Sequence, residues 1–160
     1  MRVVVMSDTH LSRVTDPLRY LCARHCENAD MVIHLGDMER SPVLDYLEQY
    51  HLEAVAGNMD DHLIRERLPS KKILRIEGRR IGIVHGWGPS HSLRQRLLSE
   101  FTGVDAVLFG HTHEALQHIE DGVLWFNPGS VFAGRGALPG SLGILEIEDR
   151  IRGRIISVEE

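Results

Sequence analysis

Three β-branched runs in the first part of this chain, RVVVMS at 2–7, MVIHLG at 31–36 and LEAVAG at 52–57, are separated by segments whose apolar residues recur with helical spacing. Strand, helix and strand in that rhythm describe βαβ units, in which parallel strands are joined by crossover helices. Asp16 then Pro17 read as an N-cap and first helical residue ahead of PLRYLCARHCENA, and Ser41 with Pro42 repeats the device before VLDYLEQY. A third helix is expected over 91–102, HSLRQRLLSEFT, with Gly103 as its stop.

From Lys71 the pattern changes to hairpins. KKILRIEGRRIGIVHG turns at Gly78, ALQHIEDGVLWF turns at Asp121 and Gly122, and SLGILEIEDRIRGRIISV supplies two more strands, so the chain carries roughly nine or ten strands in all. Two packed mixed sheets flanked by helices bury every apolar face that this pattern creates. The charge-rich DDHLIRERLPSKK at 60–72 reads as a solvated connector or part of a pocket rim.

The chain has 160 residues, enough for a full core without disulfide or metal staples, and no repeat or linker divides it, so residues 1–160 are expected to form one domain. With 42% apolar and 26% charged residues it is too apolar for disorder. A net charge of -5 argues against an extended nucleic-acid surface. No run approaches the length of a membrane span, and VVVM is too short for a signal-peptide core. Cys22 and Cys26, four apart, lack the neighbours of a zinc or redox motif, so buried thiols in a reducing cytoplasm are expected.

Five of the apolar runs end in polar residues able to do chemistry: Asp8 and His10 in SDTH, Asp37 in HLGD, Asn58 in AGN, His85 in IVHG, and His111 and His113 in FGHTH. In open α/β sheets the crevice beyond the strand carboxyl ends is where ligands bind. Two carboxylates, four imidazoles and an amide, without a thiolate, suit a pair of divalent transition-metal ions better than a structural zinc site. Period 2 in extended chain would point the side chains of Asp8 with His10, and of His111 with His113, the same way. Gly36, Gly57, Gly86 and Gly110 each stand beside a candidate ligand, where a missing Cβ permits sharp turns or close approach. Two divalent ions less two carboxylates leave two positive charges, which a hydroxide and a phosphodiester monoanion would cancel. Two ions about 3.5–4 Å apart clamp the attacking and leaving oxygens of an in-line displacement.

At these residues the sequence resembles the calcineurin-like metallophosphoesterase superfamily, whose motifs run D-x-H, G-D, G-N, H-G and G-H-x-H. They stand here at 8–10, 36–37, 57–58, 85–86 and 110–113. The short length, GNMD at 57–60 and NPGS at 127–130 are similar to the compact YfcE-type phosphodiesterase branch. The resemblance implies a four-layer α/β/β/α sandwich and a two-metal phosphoesterase acting on small phosphodiesters through a metal-bridging hydroxide. By motif, Asp8, His10 and His113 would hold one ion, Asn58, His85 and His111 the other, and Asp37 would bridge. Manganese is the implied ion, with iron, nickel, cobalt or zinc as alternatives.

Two positions depart from the pattern. Many members follow G-N with a histidine that assists the leaving group; Met59 stands here and transfers no proton. Asp60, Asp61, His62 and His91 are the nearby substitutes, of which Asp60, His62 and His91 are the candidate general acids. Trp87, where relatives often carry another histidine, is a candidate pocket wall and substrate contact, as is Arg135 in AGRGALPG through its forked donors. NPGS reads either as a tight turn or as a shaper of the pocket, and His34, His25, His51 and His118 as structural residues. The alternative function is a non-catalytic protein-binding scaffold of the Vps29-like kind, and a homo-oligomer is left open.

Overall fold

The computed structural model describes residues 1–132 and 139–159, so the expectation at Arg135 falls outside the described residues. In chain order the elements are β1 (Arg2–Met6), α1 (Asp16–His25), β2 (Met31–His34), α2 (Ser41–Leu47), β3 (Leu52–Ala54), α3 (His62–Arg67) and β4 (Lys71–Ile76). They continue with β5 (Arg79–Val84), a 3₁₀ turn (Ser90–Ser92), α4 (Leu93–Leu98), β6 (Ala106–Phe109), β7 (Leu116–Glu120), β8 (Val123–Asn127), β9 (Gly140–Ile147) and β10 (Ile151–Val158).

The strands form two mixed five-stranded sheets, ordered β10-β9-β1-β2-β3 and β4-β5-β6-β8-β7. The β1, β2 and β3 strands run parallel in the first sheet, as do β5, β6 and β8 in the second, with antiparallel strands at the flanks. Alternation along each strand feeds different cores. Val3 and Val5 of β1 face the second sheet's Ile81, Ile83, Leu108 and Phe126. Val4 and Met6 face Leu18, Leu21 and Cys22 of α1 and Val43, Leu44 and Leu47 of α2. On the far side Val107, Phe109 and Trp125 pack under Leu93 and Leu97 of α4. Three stacked apolar interfaces make the α/β/β/α sandwich.

The hairpins turn where the sequence places them. Glu77 and Gly78, and Asp121 and Gly122, all have positive φ (50°, 76°, 51° and 76°), the signature of a two-residue turn matched to strand twist. The helices deviate more. Thr15, not Asp16, caps α1, accepting the Leu18 N–H; its backbone is extended while Asp16 already lies in the first turn. Arg40 precedes α2 without a side-chain cap bond. The helix expected over 91–102 is a 3₁₀ turn followed by α4, which ends at Leu98, where the Ser99 hydroxyl turns back to donate to the Arg96 carbonyl. The 60–72 connector contains α3, capped by Asp61; it hides in the sequence because Ile64 is its sole buried residue. Among the described residues no helix is long and apolar enough to cross a membrane.

Candidate metal centre

Parallel pairing brings the carboxyl ends of β1, β2 and β3 to one edge of their sheet, and those of β5, β6 and β8 to the facing edge of the other. The loops leaving these ends are unusual in their backbone. Asp8, His10, Asp37, Glu39, His111 and His113 all hold left-handed conformations, with φ of 55°, 47°, 59°, 87°, 71° and 62°. Each such residue costs about 1–3 kcal/mol and persists only where its surroundings over-determine it. Here they do: the Asp8 N–H donates to Gly36 O and the His10 N–H to Asp37 O, both at 3.0 Å, and the Gly110 N–H donates to His85 O at 3.0 Å. The members of each two-apart pair thus converge on the crevice through left-handed turns, not through the extended chain that the spacing suggested.

Glycine supplies room for this convergence. A Cβ on Gly57 would lie 2.2 Å from Asp37 Oδ1, and one on Gly110 2.1 Å from Ser7 Oγ. At Gly110 the need is therefore close approach, not a turn.

Side-chain donors meet in two overlapping groups, Asp8 with His10 and His113, and Asp8 with Asp37 and His85, each with ligand atoms within 4.8 Å of one another. Asp8 Oδ1 lies 3.3 Å from His113 Nε2, 3.7 Å from His10 Nε2 and 3.8 Å from His85 Nε2. Asp37 Oδ2 stands between the groups, 3.2 Å from His85 Nε2 and 3.8 Å from His10 Nε2. The His111 ring meets the His85 ring edge-on at 5.4 Å, and Asn58 is exposed and lines, with His85, an adjoining cavity.

The other polar atoms of these residues are fixed by protein. Asp8 Oδ2 accepts from Ser7 Oγ at 2.6 Å and from the His111 N–H at 3.2 Å, while Asp37 Oδ1 accepts the Met59 N–H at 2.8 Å. His85 Nδ1 is 2.8 Å from Leu35 O, which can only accept, so Nδ1 carries a proton and Nε2 is the nitrogen turned toward the carboxylates, a lone pair whenever the ring is neutral. By the same logic His111 donates Nε2–H to Gly88 O at 2.9 Å and keeps Nδ1 as its acceptor nitrogen. Asp8 Oδ1 and His85 Nε2 remain buried without any hydrogen-bond partner. Two inward-facing Lewis bases left orphaned together fit divalent cations, and the oxygen and nitrogen donor set suits them.

Electrostatics follow from this crowding. Burial opposes ionisation of Asp8, but the close imidazoles of His10 and His113, the charge of His85 and the Ser7 hydroxyl hold its carboxyl below the usual range. Asp37 is likewise lowered, burial being outweighed by the His85 contact and the Met59 N–H. His10 is raised by Asp8 against the effect of burial, and His85 is raised because Asp37 and Asp8 overcome its burial.

Beneath the donors lies a set of braces. Asp60 is buried, and its oxygens accept N–H groups from Asp37 (3.0 Å), Gly57 (2.7 Å) and Glu39 (2.7 Å), stitching the Asp37 and Asn58 loops together. His34 accepts the Gly36 N–H on Nδ1 and so donates Nε2–H to Thr9 Oγ1; burial pushes its pKa down to about 3. Within NPGS, Asn127 holds Gly110 and Thr112, and Ser130 Oγ lies 2.9 Å from the Asp8 carbonyl. The sequence leaves NPGS open between a tight turn and a shaper of the pocket, and the hydrogen bonds of Asn127 and Ser130 give it the second role, whereas nothing in the sequence singles out Ser7 or Glu39. A polar residue closing a fully apolar strand, as in VLWFN, is the signal that could have found Asn127.

The general-acid candidates are not gathered with the donors. Asp60 is occupied by main-chain N–H groups, His62 is exposed at the start of α3, and His91 is exposed in the 3₁₀ turn, lining a different cavity with Thr112 and Glu114. Trp87 lines the same cavity as Asn58 and His85.

Residues 1–150 match the calcineurin-like phosphoesterase superfamily domain. The chain belongs to this superfamily. It is similar to a probable metallophosphoesterase of Methanocaldococcus jannaschii, 36% identical over 164 residues that cover 100% of this chain and 83% of the relative. A solved archaeal phosphodiesterase superposes with a TM-score of 0.74 at 28% identity, covering 98% of this chain and 99% of that one. Vps29 of Chaetomium thermophilum superposes with a TM-score of 0.75 at 17% identity, over 98% of this chain and 96% of that one, a likeness of fold alone. The two donor groups of this superfamily member are consistent with a binuclear divalent-metal site and support a metal-dependent phosphoesterase in general terms.

Proposed function

We propose that this superfamily member hydrolyses small phosphodiesters by in-line displacement at a binuclear manganese centre, with iron, nickel, cobalt or zinc as alternative occupants. The observation that carries the reading is the pair of buried, unpartnered atoms Asp8 Oδ1 and His85 Nε2, 3.8 Å apart, with the His85 tautomer set by Leu35. Asp8, His10 and His113 would hold one ion, Asn58, His85 and His111 the other, and Asp37 would bridge. Two divalent ions so held would lower the pKa of water and neutralise charge developing on the phosphoryl oxygens.

The chain's own residues support this assignment in two ways. Leu35 and Gly88 carbonyls fix which imidazole nitrogens of His85 and His111 are free, the second-layer contact that metal-binding histidines use. Loop strain at Asp8, His10, Asp37, His111 and His113 aims the donors before any ligand arrives. Met59 offers no proton, and Asp60 has no free oxygen to serve. The leaving oxygen is then protonated by His62 or His91, or belongs to a group acidic enough to depart unaided. Residues 1–160 act as one domain, and the free, buried Cys22 and Cys26 accord with a reducing cytoplasm.

The test is hydrolysis of bis-p-nitrophenyl phosphate and of p-nitrophenyl phosphate, each with manganese and with chelator. Manganese-dependent turnover with the diester preferred is expected; absence of metal-dependent turnover on either ester refutes the proposal and leaves the scaffold reading, which rests on shape alone.

A further inference from the structure

Building on the phosphodiesterase reading, we propose that the cavity beside the metal centre seats one ester arm of the substrate, and that this arm is a planar ring bearing a second anionic group, as in a nucleoside bisphosphate.

Position comes first. A phosphodiester carries two ester arms, and a diester seated among the donors must send one of them away from the attacking side. The cavity is lined by Gly57, Asn58 and His85 among others and has a volume of about 550 Å³. That is within the roughly 300–1,000 Å³ of small-molecule sites and far more than a methyl or ethyl arm fills.

The lining then selects the shape of the arm. Ala56, Leu68 and Val84 give the cavity an apolar surface, and Trp87 adds an indole that is 42% exposed. A half-exposed tryptophan is held in place only if its loop is, and here it is. Arg96 donates Nε–H to the Trp87 carbonyl at 3.0 Å, Nη2–H to the Pro89 carbonyl at 2.6 Å, and Nη1–H to Ser92 Oγ at 2.5 Å. With the main chain fixed in advance, only the two side-chain torsions of Trp87 remain to be ordered when another ring stacks on its face.

Charge selects the rest. Among the cavity's ionic residues, Lys71 is neutralised by Glu100, with Nζ and Oε2 at 2.5 Å. Arg65 on α3 has no carboxylate partner among the described residues, whereas Arg67, two positions on, is paired with both Asp45 and Glu48. One unneutralised guanidinium on the cavity wall, carried by α3 and not by the loops that bear the donors, is matched to a phosphate or carboxylate that the scissile group does not supply.

The experiment follows Trp87 emission, excited at 295 nm, as manganese-loaded protein is titrated with thymidine 5′-monophosphate and with thymidine 3′,5′-bisphosphate. Trp125 is buried and forms a constant background. Both nucleotides are expected to quench, the bisphosphate binding about tenfold tighter. Arg65→Gln should bring the two affinities together, and Trp87→Phe should remove the quench while calorimetric binding persists. Unchanged emission with both nucleotides, or equal affinities in the native protein, overturns the subsite. Turnover of methyl p-nitrophenyl phosphate separates the two readings. Manganese-dependent turnover without nucleotide quenching refutes the subsite alone. Quenching without turnover of any phosphoester refutes the hydrolase and leaves the subsite standing.

Discussion

Asn127 is tied to Gly110: its side-chain Nδ2 donates to the Gly110 carbonyl at 3.1 Å, one residue before the first histidine of GHTH. The same amide donates to Thr112 Oγ1 at 3.0 Å, and its Oδ1 accepts the Gly129 N–H at 2.9 Å. Fully buried, Asn127 therefore brackets His111 on both sides.

Asn127→Asp keeps the shape and removes both donors, placing a carboxylate against the Gly110 carbonyl and the Thr112 oxygen. Each buried group left without a partner costs roughly 1–3 kcal/mol. We expect Asn127→Asp to be at least as damaging as Asn127→Ala, with Tm lower by about 5–10 °C and weaker manganese binding by calorimetry. A fully stable, metal-competent Asn127→Asp would contradict the bracing role.

Asp60 poses the opposite chemical test. Its carboxylate accepts the Asp37, Glu39 and Gly57 N–H groups, and asparagine offers only one acceptor oxygen to them. Asp60→Asn is expected to lose about 2–3 kcal/mol of stability by urea unfolding, together with metal affinity. If Asp60 were the general acid, the substitution would leave stability intact and abolish the alkaline limb of the pH-rate profile. Those two outcomes cannot be confused.

The sandwich was legible because its strands differ from its helices in period and because two of its hairpin turns, Glu77-Gly78 and Asp121-Gly122, carry their own chemistry. The donors were legible because they end apolar runs. What the sequence hid was contact between segments far apart in the chain. Nothing in GNMD says that Asp60 will reach the Asp37 loop, and nothing in NPGS says that Ser130 will lie against the Asp8 carbonyl. The α3 helix was hidden for a local reason: with Ile64 alone buried, it has no apolar stripe to detect.

Asp8→Asn and His111→Ala should each remove manganese binding and phosphoester turnover while leaving the far-UV circular dichroism unchanged. The three apolar interfaces that hold the layers lie behind the loops and do not depend on either side chain. Chelation should act in the same way. Manganese at about a hundred times its Kd should raise native stability by about 2.7 kcal/mol and neither variant's. Global unfolding of the variants or of the chelated protein would show that the ions hold the fold together.

The metal-free protein should be most stable near pH 6.5, and the signs can be worked out group by group. His10 and His85 have folded pKa values raised above the ordinary 6.5, so their contribution is complete below that value and is lost as pH rises through the raised values. His34, pushed down to about 3, and His25, also lowered by burial, bind fewer protons folded than unfolded, so stability falls as pH drops below 6.5. Asp8 and Asp37 are lowered, and their contribution disappears only as pH falls below the ordinary 3.8. Slopes of opposite sign thus meet at 6.5. Thermal unfolding in chelator from pH 4 to 9 should trace this maximum, and Asp37→Asn, which removes a charge that raises His85, should flatten the alkaline side. A stability that climbs steadily to pH 8 in chelator would mean that the carboxylates do not hold His10 and His85 protonated.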